Sequence, residues 1–395
     1  MRSIAFFAIA LAIFIPFNWI TWVGLTRIHP RRRRWTLVAL VIGNAMWPFF
    51  GILNARTDFS RVIRATLGPA WFGWQCFAIL YTALLALIAI AWMPLRHRKF
   101  TAFAHAPSKA FLWIVIAGSV IGYYDAIVPI RVEHVPVTIA NLPPALNGTR
   151  IALLADLHVS VFTRESRLKQ FFATARAQRP DVVILAGDLI DDDPHFIPKL
   201  LRGTRALDPS IPLFAVLGNH EMYGAPFEVI DKLRGSRIHL LVNEGVALHG
   251  LWIAGISDFA ARDPRLEPDF DRALAGAPPG AFPIVVAHQP KAFDPARARH
   301  VALTLVAHTH GGQLGFRPLH WSLAGLFLRY HMGLYRAGDA QLYVNTGTGY
   351  WLLPFRLGMT PEITLIELRS AHRNAYSLPS GSAAARTRVS RANSG

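Results

Sequence analysis

Cysteine is almost absent from this sequence. Cys76 stands alone, so no intrachain disulfide framework holds the fold together. The lone thiol lies inside an apolar run and reads as a packing residue. Its solitude does not fix the compartment, because exported chains also do without disulfides. Carboxylates are scarce too: 24 Asp and Glu face 41 Lys and Arg, a formal net charge of +17. That balance makes an anionic membrane surface or nucleic acid the partners to weigh. No internal repeat is present, which excludes a solenoid or propeller array. Charged residues amount to 16% against 52% hydrophobic, and the mean hydropathy of +0.31 is high for a soluble chain.

The apolar surplus is concentrated in residues 1–130. Four segments there approach the roughly 20 apolar residues that a bilayer span needs: 4–25, 35–53, 74–92 and 111–130. The second is the weakest, being short and broken by Gly43, Asn44, Pro48 and Gly51; three spans, or a re-entrant second segment, is the alternative. Arg2 before an apolar core resembles the start of a signal peptide, but no small-residue cleavage site follows and further spans do. Arg27 and Arg31 to Arg34 fill the first loop, and Arg96, Arg98, Lys99 and Lys109 the third. The positive-inside rule assigns both to the cytoplasm, with the N-terminus and everything after residue 130 outside it. Arg56, Arg61 and Arg64 in the second loop count against that orientation. The arginine run between apolar spans reads as a topology anchor rather than a nucleic-acid patch.

Residues 131–369 read as a globular domain, and 370–395 as a basic, disordered tail poor in large apolar residues. Strands are expected over 132–139, 252–256, 342–344 and 363–368, and helices over 165–178, 196–207 and 227–234. Alternation of this kind predicts an α/β layered fold. Five further apolar runs each end on a group that can bind metal. Residues 151–155 run into Asp156-Leu157-His158, and 182–186 into Gly187-Asp188. Residues 213–217 run into Gly218-Asn219-His220-Glu221, 284–287 into His288, and 303–307 into His308-Thr309-His310. In an open α/β sheet, ligands collect beyond the carboxyl ends of the strands, so five such endings point to a metal site. Mixed imidazole and carboxylate donors suit zinc, manganese or iron. Two such ions roughly 3.5–4 Å apart hold a water between them, lower its pKa and clamp phosphoryl oxygens. With Asp156 and Asp188 as the only carboxylates, the centre stays net positive and favours an anionic phosphoester over a neutral ester.

The five motifs, in that order, strongly resemble the calcineurin-like metallophosphoesterase superfamily over about residues 131–368. Gly311-Gly312-Gln313, Thr346-Gly347-Thr348-Gly349 and Pro361-Glu362-Ile363 are similar to its bacterial membrane-associated or exported branch. The resemblance implies a four-layer αββα sandwich behind the membrane helices. It also implies two divalent metal ions: Asp156, His158 and His310 for the first, Asn219, His288 and His308 for the second, and Asp188 bridging. His220 is the residue such proteins place beside the leaving group. Ala307 departs from the pattern, which usually has Gly before His-x-His. Asp191, Asp192 and Asp193 read instead as caps of a helix near Pro194, His195 as at most a supporting residue, and Glu221 as orienting its loop. His239, His249, His300, His320 and His331 match no motif.

The expected function is a multi-pass phosphoesterase of the bacterial inner membrane, cleaving a phosphoester or pyrophosphate bond by a metal-bridged hydroxide, with its domain on the extracytoplasmic side. Residues 314–335, rich in Phe316, Leu319, Trp321, Leu326 and Phe327 and carrying Arg317 and Arg329, suggest a lipid phosphate as substrate. Trp351, Phe355 and Arg356 extend the same character. One alternative is a soluble nucleotide-type substrate, for which no purine-stacking motif is seen. Another is a transport or sensory protein with a dead domain, which would have lost ligands and would carry ionisable groups in its spans; Asp125 alone qualifies. A nucleic-acid partner is not expected, because the basic excess lies in loops and tail. The sequence leaves the oligomeric state open.

Overall fold

The computed structural model describes residues 2–52, 57–96 and 99–371; most of the expected tail, from 372 on, and Arg56 and Arg98 lie outside the described residues. Five helices come first: α1 (Arg2–Ile28), α2 (Arg33–Asn44), α3 (Asp58–Thr66), α4 (Gly68–Trp92) and α5 (Phe100–Ile127). Three stretches are long and apolar enough to cross a membrane: Ile9–Ile28, Asp58–Leu95 and Phe100–Ile127. That is one fewer than the four expected and matches the alternative of three spans. The second segment forms a helix of 12 residues, about 18 Å long, followed by the 3-10 turn Trp47–Ile52.

The reason is local. Pro48 has no N–H to continue a helix, and Asn44 is drawn into a polar knot at mid-bundle. The Asn44 amide donates to Asn18 Oδ1 at 2.9 Å and to Leu40 O at 2.8 Å, while Asn18 donates to Gln75 Oε1 at 2.8 Å. Polar groups among apolar helices satisfy one another in this way. At one end of the bundle the His29 ring lies 4.8 Å from that of His105, and its Nε2 is 2.9 Å from Ser108 Oγ. The two arginine-rich connections therefore share an end. Arg61, in α3 at the start of the second stretch, lies at the other end, where its Nε donates to Asp193 Oδ2 at 2.7 Å.

Past α5 the chain alternates as expected, with more elements than the sequence announced. In order they are β1 (Arg131–Ile139), β2 (Arg150–Leu154), α6 (Glu165–Ala177), β3 (Val182–Ala186), α7 (Ile197–Thr204), β4 (Leu213–Val216), α8 (Asn219–Tyr223), α9 (Pro226–Leu233) and β5 (His239–Leu240). Then follow β6 (Glu244–Leu248), β7 (Leu251–Gly255), α10 (Phe270–Leu274), β8 (Phe282–Val286), α11 (Phe293–Ala298), β9 (Leu303–Val306), β10 (Gly315–Phe316), β11 (Trp321–Ser322), β12 (Gly333–Ala337), β13 (Ala340–Val344) and β14 (Glu362–Ser370).

One six-stranded sheet has the order β1-β14-β2-β3-β4-β5 and the other β12-β13-β9-β8-β7-β6. Their facing sides share one core: Ile151, Leu153 and Ile184 of the first pack with Ile253, Ile284 and Leu305 of the second. The outer face of the first sheet is covered by Leu168 and Phe172 of α6 and Leu200 of α7. That of the second is covered by Phe270 of α10 and Phe293 of α11. The result is the four-layer α/β sandwich. Its strands read as continuous apolar runs because they are buried on both faces. The domain docks on the end of α5, where Arg356 N–H donates to Gly122 O at 2.8 Å and Gly358 N–H to Asp125 Oδ2 at 3.0 Å.

Candidate metal centre

Every expected ligand leaves the carboxyl end of a strand. Asp156 lies two residues beyond β2, Asp188 two beyond β3, His288 two beyond β8 and His308 two beyond β9, while Asn219 opens α8 just after β4. Asp156, His158, Asp188, His308 and His310 all have positive φ, between 42° and 76°. That region costs an L-residue of order 1–2 kcal/mol, and such strain concentrates at functional sites. Here it turns side chains from both sheets toward one point. Gly187 has φ +86° and a Cβ there would lie 2.6 Å from His288 Nδ1, so only glycine fits between strand end and ligand.

Donor atoms of Asp156, His158, Asp188 and His310 all lie within 4.8 Å of one another, as do those of Asp188, His288 and His308. Asp188 belongs to both groups. His158 Nε2 stands 3.5 Å and His288 Nε2 3.1 Å from Asp188 Oδ2. His158 and His310 approach to 3.0 Å between their Nε2 atoms. Asn219 Oδ1 and His308 Nδ1 lie 3.1 and 3.2 Å from His288 Nε2. Asp156 and His288 are fully buried, and both Asp156 carboxylate oxygens lack a hydrogen-bond partner. A fully buried, unpartnered carboxylate is expensive and is what a cation site requires, so this donor set fits divalent metal.

The electrostatics agree. Burial pushes the Asp156 carboxyl up to about 6, with the Asp188 charge acting in the same sense. Burial drives His308 down to about 3, and burial with His158 and Arg356 lowers His310; neutral imidazole is the ligating form. His288 goes the other way. Burial opposes its proton most, yet the Asp188, Asp156 and Asp258 carboxylates together raise the pKa well above the usual value. Positive charge is thus favoured beside Asp188.

His220 stands at the rim, its ring 4.6 Å from that of His158. Its backbone N–H donates to Asp188 Oδ1 at 3.0 Å. Burial disfavours its protonation, but the adjacent Asp191 carboxylate and the charge of Asp188 push its pKa to about 9. Glu221 is fully buried and accepts from Gly218 N–H at 2.7 Å and Ile190 N–H at 3.0 Å, tying the β3 and β4 loops together. Ala307 belongs to the core between the sheets, and its N–H donates to His288 O at 2.9 Å.

Sequence reasoning missed two residues here. Asp191 does not cap a helix. Its Oδ1 lies 3.2 Å from His220 Nδ1 and 3.5 Å from His158 Nδ1. Of that acidic run, Asp193 is the cap, accepting from His195 N–H. Asp191 follows Asp188 at three residues in a tight loop, and that spacing was the available signal. Arg356 is not an interface cation. It is fully buried and its Nη2 lies 3.1 Å from His310 Nδ1. Nor is Arg317, which donates to Glu362 Oε2 at 2.7 Å. His195 is exposed, edge-on to Phe196.

Comparison with known proteins places this site in a family. Residues 149–312 match the family model described as calcineurin-like phosphoesterase. An uncharacterized metallophosphoesterase of Helicobacter pylori strain J99 is 30% identical over 250 residues, 62% of this chain and 66% of that protein. One from H. pylori strain 26695 is 26% identical over 359 residues, 88% of this chain and 92% of that protein, so its alignment reaches into the helical region. A transmembrane protein with metallophosphoesterase domain from Danio rerio is 32% identical over 267 residues, 64% of this chain and 60% of that protein. The matched region thus spans 66% and 60% of the first and third of these relatives, less than two thirds of either. With the αββα layers and the strand-end donors already in place, the match settles the class: the chain carries the calcineurin-like domain of the metal-dependent phosphoesterases.

Proposed function

We propose that the protein is a membrane-anchored, dinuclear-metal phosphoesterase that hydrolyses a phosphoester or pyrophosphate bond of a lipid phosphate. The observation that carries the reading is the pair of donor groups sharing Asp188. Asp156, His158 and His310 would hold one ion, Asn219, His288 and His308 the other, and Asp188 both. Bound divalent ions would supply Lewis acidity and an activated water. The chain supplies the rest. Arg356 and the Ala186 carbonyl, 2.8 Å from His288 Nδ1, fix the orientation of His310 and His288, as partners of metal-binding histidines do. His220, kept protonated by Asp191, stands at the rim to donate a proton or hydrogen bond to the leaving oxygen.

Two observations favour a lipid. Leu319, Leu326 and Phe327 are 76%, 63% and 81% exposed, so residues 314–335 present apolar surface instead of packing it inward. An apolar patch of this kind marks an interaction surface. The domain also sits against α5, which holds it at the membrane and raises the effective concentration of membrane substrates. Its end of the bundle is opposite the arginine-rich turns. Arg61 and Arg64, which counted against the outward orientation, face Asp193 and Asp192 at 2.7 and 3.7 Å. The positive-inside rule then assigns the domain to the extracytoplasmic face of a bacterial inner membrane.

The test is product release by purified, detergent-solubilised protein loaded with manganese or zinc. Substrates are an aryl phosphodiester, an aryl phosphomonoester and a lipid pyrophosphate, each with and without chelator. Chelator-sensitive turnover highest on the lipid is expected. Turnover of the soluble esters alone would shift the reading to a soluble, nucleotide-type substrate. No turnover with any metal would overturn the enzyme.

A further inference from the structure

Where the membrane helices meet the domain there is a cleft of about 300 Å3, within the range of small-molecule sites. Met46, Trp71 and Phe72 form one wall, and Val161, Trp351 and Leu352 the other. Trp71 is braced edge-on by Trp47 at 5.6 Å and by Phe14 at 5.7 Å between ring centroids, so the membrane-side wall is a rigid aromatic surface. His220 lines the inner end, with its ring 6.3 Å from that of Trp351. The cleft's other charges are matched: Arg61 holds Asp193, and Arg64 lies 3.7 Å from Asp192. Arg64 keeps 26% of its side chain exposed at the rim, between Asp192 and Asp193.

We infer that the cleft between the start of α4 and the loops bearing Val161 and Trp351 holds the hydrocarbon chain of a membrane lipid phosphate whose phosphoryl group faces His220. The site joins two surfaces that a lipid phosphate alone needs together. Its lining comes from the membrane helices on one side and, at His220, from the edge of the proposed phosphoryl centre on the other, with Arg64 among the residues between. A soluble nucleotide would leave the half-exposed Phe72 and Leu352 facing water, whereas an alkyl chain removes them from it. The inference rests on the phosphoesterase reading and adds where the lipid lies.

The experiment uses the full chain in phosphatidylcholine nanodiscs, with phosphatidic acid whose acyl tail carries a photoreactive diazirine. Labelling is expected on peptides containing Trp71–Phe72 and Trp351–Leu352, competed by unlabelled phosphatidic acid and not by glycerol phosphate. Val161→Trp, a change at an exposed loop position, narrows the mouth and should suppress that labelling. In the loaded enzyme it should lower the ratio of lipid to soluble-ester turnover about tenfold, as expected for the loss of a couple of buried methylene groups. Labelling confined to outer helix faces such as Leu87 and Trp113, or unchanged in Val161→Trp, would overturn the inference. Absence of turnover on every ester would overturn the phosphoesterase reading instead, and the labelling would still decide the cleft.

Discussion

Gly218→Ala isolates the geometry of the centre from its ligands. Gly218 has φ −106° and ψ −173°, a conformation open to alanine, so the substitution adds only a methyl. That methyl would lie 2.2 Å from Asp188 Oδ1 and 2.4 Å from Asp188 N. Carbon needs about 3.5 Å from such neighbours, so the β3 and β4 loops must part by roughly 1 Å. Rotating the Asp188 side chain relieves the first contact but not the second, which is to backbone. Neither loop yields easily, since Glu221 bonds Gly218 N–H and Ile190 N–H across them. Overpacking of this kind costs about 1–3 kcal/mol of stability, a few degrees in Tm for a domain of this size. A displacement near 1 Å at a catalytic centre costs about a hundredfold in rate. The expectation is therefore a small loss in Tm by circular dichroism, with kcat on a soluble phosphodiester down about a hundredfold and reduced metal content. Gly73→Ala, where nothing lies within 4 Å of the new methyl, is the control and should leave all three unchanged. A Gly218→Ala protein with native kcat and metal content would refute the idea that this glycine keeps Asp188 in place.

Other perturbations separate the parts of the site. His220→Ala should lower kcat while leaving metal content nearly intact, checked by elemental analysis beside steady-state rates; loss of metal would contradict its proposed role. The His220 pKa of about 9 is raised, so its proton is present below that value and lost above it. Activity that uses the proton should fall as pH rises through about 9, and Asp191→Asn should move that alkaline limb to lower pH in a pH–rate profile. Glu362 is buried against Arg317, Tyr343 and Thr346. Glu362→Ala strands those groups, which for a broken buried ion pair costs about 3–5 kcal/mol, read as a Tm drop of roughly 10 °C. Burial opposes the Glu362 charge, but Arg317 and its hydrogen bonds hold the pKa below the usual carboxyl value. Its contribution is therefore full above the unfolded carboxyl pKa and lost as pH falls through the lowered one.

The strands that build the site were legible because burial on both faces leaves continuous apolar runs, each closed by a polar residue. Val182 to Asp188 is the clearest case. Elements such as β5, β6 and β12 were not legible: they are short or half-exposed, and each lies at the edge of its sheet, where no continuous apolar run marks it. The second membrane segment was legible as the weakest, broken at Asn44 and Pro48, but hydropathy alone could not show what those residues do. In the fold, one anchors a hydrogen-bond knot and the other ends a helix. Asp191 and Arg356 escaped notice because their roles come from tertiary neighbours. Asp191 meets His220 from 29 residues away, and Arg356 meets His310 from a loop that the sequence marks only as apolar.

The central claim is that Asp188 is shared by two metal ions in a hydrolytic centre. Its most direct test is metal stoichiometry of the purified chain beside chelator-sensitive phosphodiester hydrolysis, in native protein and in Asp188→Ala. Two divalent ions per native chain are expected, with both metal and activity lost in the variant. A variant that keeps both ions, or a native protein that hydrolyses the ester with its metal stripped, would contradict the account.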